Sequence, residues 1–258
     1  MRGKHLKLAA VLLSALFVLP PGTSASAYDA EKTAREGLVR GDLATWTQRR
    51  ESFPENGELS VNGSSPLSYM GCGYYATFFM LCRMGLRNPL VDTAWELAEE
   101  CRERGFCRSG TGYFDPRSIS MLTDGLAEYV EDGCFENYYD GQAGIAHCES
   151  KADVDAYFDL LMNKKGYFLV VCVVGDVTSR TGSEYGSAGH YIFIDSTNHG
   201  NWVIGDPAFP GTRWNDNWGR HNASVVKVYA YRLWDRKGKQ IFPSARQSMY
   251  VPRSFEDY

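Results

Sequence analysis

An α+β fold built round a central antiparallel sheet is predicted by three features of the 258-residue sequence. Helix-start signals and amphipathic stripes occupy the chain before Gly166. Apolar runs of strand length follow it, and two of those runs, HYIFID and NWVIGD, are joined by the hairpin-like STNHG.

Taken in order, residues 30–50 read as one or two polar amphipathic helices, and FPENGELSVNGSSP as a turn-rich connection. The segment from Gly73 to about Met84 carries aromatic and aliphatic residues on every side of a helical wheel, so it is predicted to be a helix buried in the core. Asn88-Pro89 supplies an N-cap and a first-turn proline ahead of a stripe of Leu90, Ala94, Leu97, Ala98 and Cys101. Asp115-Pro116 repeats the device before Ile119, Leu122, Leu126 and Tyr129, which predicts a helix through that stripe. Ser150 with Asp153 resembles a capping box before Val154, Tyr157, Phe158 and Leu161. Beyond Gly166 the period changes: YFLVVCVV does not alternate, which predicts a strand covered on both faces, and SVVKVYAYRL supplies a further strand.

The first 27 residues are expected to be a removable export signal. Arg2, Lys4 and Lys7 precede an apolar stretch from Leu8 to Leu19, and Ala25-Ser26-Ala27 offers the small-x-small cleavage pattern. Twelve apolar residues fall short of the roughly 20 a bilayer span needs, so no membrane span is expected after signal removal. Cleavage removes three of the 27 basic residues and none of the 31 acidic ones, leaving 24 against 31 and a formal charge of −7. That balance argues against nonspecific nucleic-acid binding. The remainder divides into a helical segment, 28–59, and one larger domain, 60–258.

Export also sorts the seven cysteines. Cys101, Cys107, Cys134 and Cys148 lie near element ends or in polar loops and are disulfide candidates; local pairing would join Cys101 to Cys107 and Cys134 to Cys148, one of three possible connectivities. Their spacing, even with His147, lacks the paired C-x-x-C knuckles of structural zinc sites, so no metal or other cofactor is expected. Cys82 and Cys172 read as small buried hydrophobes.

Cys72 is different. Flanked by Gly71 and Gly73, it stands where a helix begins, and the unpaired amides and partial positive charge of a helix N-terminus favour a thiolate. With the hairpin tip centred on Asn198, residues equidistant from it face each other, and His190 and Asp206 are each eight positions away. Asp206 is therefore expected to orient the His190 ring from the same sheet face. Asp195, an odd number of positions from His190, is expected on the other face. Cys72 as nucleophile, His190 as proton carrier and Asp206 as orienting group form a triad, with the Cys72 amide as one oxyanion donor. His147, His199 and His221 are read as ordinary surface or turn residues.

GCGYYATFFMLCRMG, GHYIFID and WVIGDPAF resemble, in this order, the Cys, His and Asp motifs of the bacteriocin-processing, double-glycine leader peptidase-like branch of papain-like cysteine peptidases. The resemblance covers roughly residues 60–235. It implies a papain-like fold, a Cys72, His190, Asp206 triad and no metal cofactor. The chain departs from the family in having Tyr74 where proline usually follows Gly-Cys-Gly. It also lacks the glutamine that usually supplies the second oxyanion donor just before the cysteine. Asn62 is the single carboxamide from Val61 to Gly71 and becomes the candidate; a turn role in VNGSS accounts for it equally, and Ser65 or Ser68 could serve instead.

Three functions are compatible with these residues. An exported cysteine peptidase would act on a peptide or protein substrate. A peptidoglycan amidohydrolase or endopeptidase would direct the same chemistry to cell-wall peptide. A noncatalytic binding module would use the scaffold and the aromatic-rich loop FPGTRWNDNW.

Overall fold

A computed structural model describes residues 71–88, 92–107, 115–131, 135–136, 151–174, 177–178, 184–185, 189–196, 201–208, 213–216, 218 and 223–243. The expected signal, the 28–59 segment and Asn62, Ser65 and Ser68 lie outside the described residues, as do His147, His199 and His221.

Helix α1, Cys72–Met84, is the buried helix its composition predicts: every residue after Cys72 is buried. It ends at Gly85, whose φ of 75° is left-handed, and the Gly85 and Leu86 amides close onto the Cys82 and Leu81 carbonyls. Helix α2, Ala94–Glu103, begins later than Asn88-Pro89 suggests. Thr93 and Glu96 form a full capping box there, the Thr93 hydroxyl accepting from the Glu96 amide and the Glu96 carboxylate from the Thr93 amide. Of its predicted stripe, Ala94, Leu97, Ala98 and Cys101 are buried, and Leu90 lies outside the described residues.

Helix α3, Ser118–Leu122, is shorter than expected. Asp124 and Gly125 both take positive φ, 49° and 82°, which turns the chain out of the helix and delivers Ala127–Tyr129 to the sheet as β1. Leu126 and Tyr129 thus belong to a turn and a strand. Short β2, Phe135–Glu136, follows, and α4, Lys151–Asp159, runs into a π-helical turn, Leu160–Lys164. Of the predicted stripe along them, Val154, Phe158 and Leu161 are buried and Tyr157 is partly buried, while Ser150, the expected cap, lies outside the described residues.

The remaining strands are β3 (Phe168–Val174), β4 (Val177–Thr178), β5 (Glu184–Tyr185), β6 (His190–Ser196), β7 (Val203–Gly205), β8 (Ser224–Trp234) and β9 (Gln240–Ile241). The main sheet runs β1-β8-β3-β6-β7, with β2 and β9 also on β8, and all its described pairs are antiparallel. The chain is therefore α+β with a central antiparallel sheet, as predicted. Alternation along β3 explains its unbroken apolar run. Phe168 and Val170 join α1 and α2 in one core, while Leu169, Val171 and Val173 join Phe158, Trp202, Trp214 and Trp218 in the other.

The expected Cys101–Cys107 bridge is not formed. Both are free thiols: Cys101 turns into the core with the α2 stripe, and Cys107 meets the Tyr74 hydroxyl at 3.1 Å. Cys134 and Cys148, the other expected pair, lie outside the described residues.

The hairpin register also differs from a turn centred on Asn198. Phe193 faces Gly205 and Ile194 faces Ile204, but Ser196 faces Val203, so Asp195 is the extra residue of a bulge. Asp195 points to the α1 side, where its carboxylate accepts from Arg83 Nε at 2.8 Å in a mostly buried ion pair.

Candidate active site

Extending the observed register past Gly205 would set Asp206 opposite Ile192, two residues from the position first expected. A displacement of two preserves the face. His190 and Asp206 consequently meet as diagonal neighbours, with His190 Nε2 2.8 Å from Asp206 Oδ1. Both are buried. A carboxylate can only accept, so Nε2 carries the proton it donates.

Asp206 is held on every side. Pro207 has no amide hydrogen, and the next amide, that of Ala208, donates to Oδ1 at 2.8 Å; this is the turn that Asp-Pro builds readily. Trp218 Nε1 donates to Oδ2 at 2.5 Å. Burial works against the charge, but His190, Trp218 and the Ala208 amide together hold the carboxyl below the usual carboxylate range. Trp218 also lies nearly parallel to His190, with ring centroids 5.3 Å apart and planes at 18°.

The same reasoning applies to the imidazole. Burial opposes its charge, yet the Asp206 carboxylate and hydrogen bond, followed by a hydrogen bond and charge from Cys72, push His190 up to about 10. Asp206 occupies Nε2, so the buried Nδ1 is the ring nitrogen that Asp206 does not engage. Cys72 is the first residue of α1 and is partly exposed, unlike the twelve helix residues after it. Amides of a helix's first turn have no acceptor within the helix, and Cys72 belongs to that turn.

A second thiol lies close by. Cys172, on β3 opposite Tyr191, is pushed up to about 12 by burial and then by the neighbouring Cys72 charge, so it stays protonated beside Cys72. Burial also pushes the Cys101 thiol up.

The fold brings together all three predicted triad residues, Cys72, His190 and Asp206. Asn62 is outside the described residues, and Asp195 is on the opposite face in a structural ion pair. Trp218 is the residue that sequence reasoning missed as part of the site. It sits in a polar stretch of sequence with no periodicity, and only its aromatic character stood out. Trp214 and Trp218 are both buried, so neither offers the exposed aromatic surface that a binding loop would use.

No family model, curated protein or solved structure matches the chain.

Trp218→Phe tests the loop's role. It keeps a ring over His190 and removes the donor to Asp206, which should cost about 1–3 kcal/mol in stability. Because Asp206 is depressed in the folded protein, its charge stabilises the fold above the ordinary carboxylate range, and this contribution is lost as pH falls through the lowered value. Removing one cause of the depression raises that value, so acid unfolding of Trp218→Phe, followed by circular dichroism, should begin at higher pH than in the parent.

Proposed function

We propose that the chain is an exported cysteine peptidase on a papain-like scaffold, of the bacteriocin-processing branch its motifs resemble, hydrolysing peptide bonds through a thioester acyl-enzyme. The observation that carries this reading is the single chain of contacts from the partly exposed Cys72 through His190 to Asp206. In this mechanism His190 takes the Cys72 proton at Nδ1, and Asp206 and Trp218 hold the resulting imidazolium. The thiolate attacks the scissile carbonyl, and the Cys72 amide stabilises the oxyanion. Collapse breaks the C–N bond as Nδ1–H protonates the departing amine. His190 then deprotonates a water that attacks the thioester, releasing the acid and restoring the thiol.

The test is turnover by the full chain, with peptide substrates, folded proteins and isolated peptidoglycan in parallel. Cleavage of peptides with trapping of an acyl group on Cys72 supports the reading. Release of wall fragments alone would redirect the same chemistry to cell-wall peptide. Absence of both from a protein whose Cys72 still alkylates would contradict a hydrolase.

A further inference from the structure

Each buried polar residue of the site follows a glycine: Gly189 precedes His190 and Gly205 precedes Asp206. Alternation sends residues 189 and 205 to the face opposite their neighbours; α1 covers Gly205 there, while Gly189 is exposed just before the start of β6. Neither has room for a side chain there. A Cβ on Gly189 would lie 2.6 Å from Cys172 Sγ, and one on Gly205 would lie 2.8 Å from Phe79 Cδ2 and 3.4 Å from Phe193 Cβ. Gly205 does not have positive φ, so its backbone does not call for glycine. Space does.

Phe79 ties this contact to the nucleophile. It is seven residues beyond Cys72 on α1, about two turns along the same side of the helix. The ring is fully buried and meets Tyr75 edge-on, with centroids 6.1 Å apart at 70°. A ring so enclosed cannot swing aside as an exposed chain end would, so pressure on it is passed to the helix. We infer that Gly205 is a positioning residue: its missing side chain is the seat for Phe79, and that seat sets how closely the Cys72 helix approaches the strand leading to Asp206. The role in turnover rests on the peptidase reading above.

Gly205→Ala should displace α1 and part Cys72 from His190. A misplacement of about 1 Å can cost roughly 10²-fold in rate, so kcat should fall by about that factor with KM little changed. The rate of Cys72 carboxymethylation by iodoacetate should fall as well, and lose its dependence on the His190 proton. Gly205→Ala combined with Phe79→Leu makes room for the added methyl and should recover at least about tenfold of the lost reactivity. Two results would overturn the proposal: a folded Gly205→Ala protein with parental kcat and alkylation profile, or a double variant no better folded and no more reactive than Gly205→Ala. Alkylation needs no substrate. A parent protein with the expected alkylation profile but no peptide turnover would sink the peptidase reading and leave the positioning role standing.

Discussion

Cys72→Ala should abolish peptide turnover, by about 10⁶-fold if the triad acts as a unit, while the folded protein survives. The side chain is partly exposed, so its removal opens no sealed cavity. Cys107→Ala is the matched control: it deletes a thiol that contacts Tyr74 and lies outside the triad, so turnover should persist. Initial rates on one fluorogenic peptide, with acyl-enzyme detection by mass spectrometry, check both. Loss of activity in both variants would point to a shared folding defect.

The second large effect separates two aspartates of one hairpin. Asp206→Ala removes the main cause of the raised His190 value and the acceptor that fixes its ring, so turnover should fall by roughly 10³–10⁴-fold. Asp195→Ala should act on stability. It removes the carboxylate that accepts from the largely buried Arg83 Nε, a loss on the order of 3–5 kcal/mol, and should leave the Cys72 alkylation profile unchanged in protein that remains folded. Asp206→Asn is more discriminating. Its oxygen can still accept from His190, but its NH₂ would face Trp218 Nε1–H across the present 2.5 Å contact, placing donor against donor. Asp206→Asn alone should therefore be impaired, and adding Trp218→Phe should improve it. Denaturant melts and peptide turnover measured on all these variants separate the folding effects from the catalytic ones.

Much of this arrangement was legible because local patterns carried it. The unbroken apolar runs of α1 and β3 predicted burial, and the glycines round Cys72 marked a helix start. Parity along HYIFID put His190 and Asp195 on opposite faces, which the observed sheet retains. Parity survived even though the exact register did not. The slip arose from the bulge at Asp195, which is stabilised by Arg83 over a hundred residues earlier in the chain, and no local signal announces such a partner. The Asp124-Gly125 turn was hidden for a related reason: Leu126 and Tyr129 continue a helical spacing, but the sheet claims them. Trp218 was invisible as a site residue because its two functions, the bond to Asp206 and the ring against His190, are tertiary contacts. The Cys101–Cys107 pairing failed because proximity in sequence says nothing of direction: one thiol points into the core and the other to Tyr74.

The most direct measurement is carboxymethylation of the native chain by limiting iodoacetate as a function of pH, with the modified cysteine mapped by mass spectrometry. An anionic reagent senses the imidazolium beside the sulfur as well as the thiolate. Cys72 should be the cysteine modified, and its rate should fall as pH rises through about 10, where His190 loses its proton. In Asp206→Ala that fall should move to lower pH, since the carboxylate that raises the imidazole is gone. Equal labelling of Cys72 and the buried Cys82 or Cys172, or a Cys72 profile that Asp206→Ala leaves in place, would contradict a working Cys72, His190, Asp206 unit.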